Sequence, residues 1–289
     1  MNSQPLQKVF QGSQARLTYF EWGTPGHPIV VLAHATGFHG RVWDQTVMRL
    51  RDRHVFALDM RGHGRSDKGP PYSWETFGRD LAEIMEGLDL KNGIGVGHSL
   101  GGYAVSYAAA LSPARFDRLV LLDPVIFEPD AYQDNRYGFA RVEDHPVSRR
   151  REKWTGWEAM YERFKDRHPY SLWVPQTLKD YCRYGLIESG DGFMLACPAK
   201  VEAAIYMGHS LTDVYALIKQ IQIPVAVLRA QRKDTSDGNM DFSNSPTWKG
   251  LAETFAKGRD VYLPHLTHFI PMQDPDLVAR FVLDADARS

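Results

Sequence analysis

The stretch Gly97-His98-Ser99-Leu100-Gly101-Gly102 follows the short apolar segment Gly93–Val96 and runs directly into the alanine-rich Ala104–Leu111, which Ser112-Pro113 brings to a stop. A strand, a tight turn and a helix in immediate succession are the setting that lifts a serine hydroxyl above a sheet edge. The glycines around Ser99 allow the turn and let strand and helix backbones approach without Cβ clashes. A serine hydroxyl is a poor nucleophile until a base removes its proton. Such a serine therefore needs a sheet to hold it, and a base with its acid to activate it.

Upstream, Arg16–Glu21, Ile29–Ala33 and His54–Leu58 read as strands, and downstream so does Arg118–Leu122. Ile29–Ala33 and Leu119–Leu122 are almost continuously apolar, as strands covered on both faces are. Ser73 stands as the N-cap of a helix that places Phe77, Leu81, Ile84, Met85 and Leu88 on one face. Strands alternating with helices predict a mainly parallel sheet flanked on both sides. From about Val125 to Thr212 that alternation ends. The composition turns aromatic and charged, and Trp154, Trp157, Tyr161 and Phe164 recur at helical steps of three, four and three. Further helices are expected after Pro175 and Pro198. From Pro224 the rhythm returns with strand Val225–Leu228, a helix near Trp248–Phe255, strand Val261–Leu263 and a helix over Leu277–Val282. The expected organisation is one α/β core, residues 1–125 and 213–289, carrying a helical insertion over residues 126–212.

Composition narrows the partners. With 34 Lys+Arg against 35 Asp+Glu among 289 residues, the formal charge is −1, which fits neither a basic nucleic-acid binder nor an acidic disordered chain. No apolar run approaches the length of a bilayer span, and residues 1–10 carry no signal-peptide core. Cys182 and Cys197 read as buried free thiols. The expectation is a cytoplasmic protein with no membrane or nucleic-acid partner. The Arg149-Arg150-Arg151 run is expected on a solvated helix face.

The base is sought near the end of the chain. His268, in Leu263-Pro-His-Leu-Thr-His-Phe, lies just after the last strand and is preferred to His265. No third ligand stands at a useful spacing, so the two histidines are not taken as a metal pair, and no metal or cofactor is expected. For the acid, Asp234 follows the strand Val225–Leu228 after a short loop and ranks first. Asp123, at the end of the preceding strand, and Asp237 remain alternatives, although loop aspartates commonly serve turns.

Four landmarks in order make the chain resemble the α/β-hydrolase superfamily in its capped, esterase-like branch. They are His34-Ala-Thr-Gly-Phe-His39, Asp59-Met-Arg-Gly-His-Gly-Arg-Ser-Asp67, the turn at Ser99, and His268. The resemblance implies an eight-stranded, mostly parallel sheet with helices on both faces and an inserted helical cap. It also implies an oxyanion hole from the backbone N–H groups of Leu100 and Thr36, with Ala35 replacing the usual glycine of that loop. It strengthens Asp234, because Leu228–Asp234 is similar to the family's acid loop. The Asp59–Asp67 loop is expected to be scaffolding braced by an Arg61–Asp67 pair, and His34 to buttress its own loop.

These residues and this resemblance imply a metal-independent serine hydrolase acting on carboxylic esters, with Ser99, His268 and Asp234 as its triad. In capped hydrolases the insertion covers the nucleophile. Phe38, His98, Trp154, Trp157, Tyr161, Trp173 and Tyr206 are then the candidates for the substrate pocket, with Tyr170 beside them. The Trp154–Phe164 stripe is weighted more toward packing than toward a ligand cage. A closed cap favours a small to medium, largely apolar ester-like substrate over long-chain lipid. The same triad serves carbon–carbon bond hydrolases, lactonases and thioesterases. A slow-turnover ligand-binding or signalling protein on the same fold is the alternative from another class.

Overall fold

The computed structural model describes residues 4–132, 140–208, 214–232, 241–284 and 286. Eight strands form one sheet: β1 (Leu6–Gln11), β2 (Arg16–Trp22), β3 (Ile29–Ala33), β4 (His54–Leu58), β5 (Gly93–His98), β6 (Phe116–Leu122), β10 (Val225–Ala230) and β11 (Gly258–Leu263). Their order is β1-β2-β4-β3-β5-β6-β10-β11. Only β2 runs against its neighbours; every pairing from β4 to β11 is parallel. This is the α/β-hydrolase fold that the motifs around Ser99 predict.

Burial alternates residue by residue along the central strands. Val30, Leu32, Val120 and Leu122 face one apolar layer, whereas Val31, Ala33, Leu119 and Leu121 face the other. The first layer also takes in Val47 of the short α1 (Asp44–Val47). The second layer is covered by α2 (Trp74–Gly87) and α3 (Leu100–Leu111). Ser73 does precede α2, but its hydroxyl meets Thr76 Oγ1 at 2.9 Å and caps no backbone N–H. Strand β1 carries no sequence signal because its residues are nearly all exposed. The helix expected near Trp248–Phe255 is only a single turn, Leu251–Thr254, of 3₁₀ form.

Between β6 and β10 lie α4 (Trp157–Phe164), α5 (Pro175–Tyr184), α6 (Ala199–Met207) and α7 (Val214–Ile218), and also a second sheet that a purely helical reading lacks. This antiparallel sheet has the order β7-β9-β8, from Lys153–Trp154, Gly192–Leu195 and Leu186–Ser189. Trp154 therefore sits on a strand and not on the helix of Trp157 and Tyr161. It still reaches that helix, meeting Phe164 edge-on at 5.7 Å. Trp154, Met160, Trp173, Leu178 and Tyr181 belong to the same apolar layer as Val30 and Leu122, so this segment is packed onto the sheet. α8 (Ile270–Gln273) and α9 (Pro275–Leu283) close the chain, and Asp274 caps α9 through the N–H of Leu277. Cys182 and Cys197 are both buried free thiols. Among the described residues no helix is long and apolar enough to cross a membrane.

Candidate active site

Ser99 connects β5 to α3 with φ 57° and ψ −119°. A side-chain-bearing residue there costs of order 1–3 kcal/mol, held only by its surroundings. The surroundings are explicit: Ser99 N–H donates to Leu122 O at 3.1 Å, and Ser99 O accepts from Gly102 N at 3.0 Å and Val125 N at 3.2 Å. A Cβ on Gly101 would lie 2.1 Å from Ala33 O, so glycine is what lets α3 start against the end of β3. Leu100 is the first residue of α3, where backbone N–H groups have no intrahelical acceptor.

His268 follows β11 and is anchored at its backbone, its N–H donating to Ser243 O at 2.8 Å. Its carbonyl accepts from Nε2 of His98, the neighbour of Ser99, at 2.7 Å. His265 is exposed. The carboxylate that meets His268 Nδ1 is Asp123, Oδ2 at 2.7 Å. Asp123 is fully buried. Its other oxygen, Oδ1, accepts from Ala230 N at 3.0 Å, Ser245 Oγ at 2.6 Å and Thr247 Oγ1 at 3.2 Å. The sequence places Asp234 first and keeps Asp123 as an alternative; the contact with Nδ1 belongs to Asp123. Nδ1 carries a single hydrogen, and Asp123 Oδ2 accepts it. Asp234 and Asp237 themselves lie outside the described residues. The strand end before the favoured loop does contribute, but through Ala230 N–H, which orients Asp123.

The Thr36 loop is braced by two histidines. His34 donates from Nδ1 to Ala35 O (2.8 Å) and accepts the Met60 N–H at Nε2 (3.0 Å). His63 accepts the Gly37 N–H at 2.9 Å and faces Arg61 O at 2.9 Å. Because each ring accepts from an amide, each must be neutral. Burial enforces this, pushing His34 down to about 4 and His63 well below its ordinary value. The Asp59–Asp67 loop is scaffolding, although its bracing differs from expectation. Arg61 pairs with Asp80 at 2.7 and 2.9 Å, while Asp67 accepts from Arg16 N at 2.9 Å. The buried Asp59 carboxylate accepts from Gly40 N and Arg65 N, each at 2.7 Å.

His34 also sets an acid sensitivity. Its native pKa lies below the unfolded value of 6.5, so the unfolded chain binds the extra proton. Stability therefore falls as pH drops from 6.5, by about 1.4 kcal/mol per unit, until about pH 4. His34→Gln, which keeps an acceptor for Met60, should show a shallower stability slope over that interval in urea denaturation. Equal slopes for the two proteins would refute the assignment.

Of the proposed pocket residues, Phe38, His98 and Trp173 come together. Phe38 lies 6.2 Å from His98 and 5.8 Å from Trp173, and the His98 ring is 5.0 Å from His268. Phe269 and Tyr181, which sequence reading missed, complete this wall: Trp173 meets them at 5.2 and 5.5 Å. Phe269 is legible in the sequence only as the neighbour of His268. Among the described residues Trp154, Trp157 and Tyr161 make no ring pair with Phe38, His98 or Trp173, although they pack in or against the same apolar layer. Trp154 packs under Arg151, and Tyr161 lies near Lys179. Tyr206 stacks on His145 at 5.2 Å.

A strained serine on a strand-to-helix turn, whose neighbour His98 has its ring 5.0 Å from that of a histidine fixed by a buried carboxylate, fits a hydrolase site. Residues 30–281 match the alpha/beta hydrolase family model, and the chain belongs to that family. Among relatives, a serine hydrolase-like protein of Danio rerio is 29% identical over 91% of this chain and 82% of its own. The chain spans less than half the length of several other curated relatives it matches. One is a non-heme chloroperoxidase of Streptomyces lividans, 33% identical over 40% of this chain and 45% of that protein. The solved structure of E-2-(acetamidomethylene)succinate hydrolase superposes with a TM-score of 0.77 at 20% identity, covering 98% of this chain and all of that one. It shares the fold.

Proposed function

We propose that the protein is a serine hydrolase of small to medium carboxylic esters, working through an acyl-enzyme. The observation that carries this is the 2.7 Å contact between the buried Asp123 carboxylate and His268 Nδ1. With Nδ1–H donated to Asp123, the lone pair of a neutral imidazole is on Nε2, the nitrogen free to take a proton. Ser99 Oγ attacks the acyl carbon as its proton passes to His268 Nε2, and Asp123 stabilises the imidazolium. The carbonyl oxygen, now negative, is held by the N–H groups of Leu100 and Thr36. Preorganised donors of this kind are worth about 10²–10³ each in rate. His268 returns its proton to the leaving alcohol, and water then repeats the sequence on the acyl group. The aromatic wall of Phe38, Trp173 and Phe269 supports a compact substrate.

The test is covalent labelling with a fluorophosphonate, together with turnover of p-nitrophenyl butanoate. Wild type should label and turn over repeatedly, and Ser99→Ala should do neither while keeping its circular dichroism spectrum. Labelling that persists in Ser99→Ala, or a single turnover only, would overturn the reading.

A further inference from the structure

Within the basic run, Arg149 and Arg151 are exposed, but Arg150 turns inward. No helix is present there to solvate it: Arg150 directly follows a 3₁₀ turn, Pro146–Arg149. Its guanidinium donates from one terminal nitrogen to Glu202 Oε2 at 2.5 Å and from the other to Tyr181 Oη at 3.1 Å. Glu202, on α6, is 4% exposed. It presses on the loop carrying Thr36, since a Cβ on Gly37 would lie 2.3 Å from its Oε1. Arg150, Gly37, Phe38, Met160 and Tyr181 line one small cavity. Through Phe38 that cavity adjoins the wall leading to His98 and His268.

Two properties of this cluster matter. Arg150 is a charged group in a cavity lined otherwise mostly by apolar residues such as Phe38, Met160 and Leu195, and the cluster carries no net charge, because Glu202 cancels Arg150. Tyr170, Tyr181 and Tyr206 add phenols that burial keeps protonated. A guanidinium has five N–H bonds. Among the described residues Arg150 directs two hydrogen bonds to partners, so further donors remain for a ligand. A plain alkyl chain placed there would strip them of water and return nothing. A second carboxylate would place an unbalanced anion beside Glu202 in a site with little water.

We propose that Arg150 forms a specificity subsite for an uncharged oxygen acceptor, a ketone or similar carbonyl, on the acyl portion of the substrate. This rests on the hydrolase reading above and narrows it, replacing a purely apolar acyl group by one with a polar, neutral oxygen.

The experiment compares p-nitrophenyl esters in matched pairs. These are γ-oxopentanoate with pentanoate, δ-oxohexanoate with hexanoate, and ε-oxoheptanoate with heptanoate, each set against the dicarboxylic monoester of the same chain length. At one position the keto ester should exceed its alkyl partner in kcat/KM by about tenfold or more, as expected for a hydrogen bond to a charged donor. The carboxylate analogue should fall below both. In Arg150→Met/Glu202→Met, which removes both charges together, the keto-to-alkyl ratio should drop to within about twofold of one. The ratio does not depend on how much folded enzyme a preparation contains. Keto preference absent at all three positions, preference surviving in the double variant, or preference for the carboxylate would each overturn the subsite. Alkyl-ester turnover that disappears in Ser99→Ala shows that the hydrolase reading stands even then. Absence of any Ser99-dependent turnover would end both.

Discussion

Asp123→Asn should lower kcat by about 10⁴ while leaving the protein folded. The reason lies in how the carboxylate is held. Oδ1 accepts from three donors, Ala230 N, Ser245 Oγ and Thr247 Oγ1, so an asparagine must place its carbonyl oxygen there. Its NH₂ then faces His268 Nδ1, 2.7 Å away. Two donors cannot share that contact, so the imidazole changes tautomer, carrying its hydrogen on Nε2 and its lone pair on Nδ1. In that form it cannot accept the proton of Ser99. Asp234→Asn, in contrast, should change turnover by no more than a fewfold. Steady-state kinetics on p-nitrophenyl butanoate for both variants decides between them: a large loss confined to Asp234→Asn would remove Asp123 from the mechanism.

The choice of acid also marks where the sequence stops being readable. The sheet, the turn at Ser99 and the position of His268 are accessible because each depends on local pattern: apolar strands, small residues at a tight turn, a histidine just past a strand. Choosing among Asp123, Asp234 and Asp237 depends instead on contacts between distant segments. β6 and β10 are adjacent and parallel, with Leu122 level with Leu228, so aspartates placed after either strand start from the same sheet edge. The choice is made by Ser245, Thr247 and the last amide of β10, none of which advertises itself. The segment between β6 and β10 resists reading for a related reason. Trp154, Trp157, Tyr161 and Phe164 have helical spacing, yet the chain changes from strand to helix between the first two. Two- to four-residue strands leave too short a pattern to detect. Arg150 reads as one of three solvated charges because its partner Glu202 lies 52 residues away.

Gly101→Ala should combine a large loss of stability with a large loss of activity, although the added group is one methyl. The new Cβ would sit 2.1 Å from Ala33 O, 2.5 Å from Ala33 C and 2.7 Å from His34 O. All three atoms are backbone, so no side chain can swing aside. The start of α3 must instead move away from the end of β3, and overpacking of this kind costs typically about 1–3 kcal/mol, and more when backbone must shift. The same displacement separates the two proposed oxyanion donors, since Leu100 begins α3 and Thr36 follows β3. Misplacement by about 1 Å is worth roughly 10² in rate. Gly69→Ala is the control, because a Cβ there meets nothing within 4 Å and should leave both quantities nearly unchanged. Denaturant midpoints and kcat/KM for the two alanine variants test this together. A Gly101→Ala protein as stable and as active as Gly69→Ala would mean that α3 and the Thr36 loop are not held at the separation that sets the oxyanion geometry.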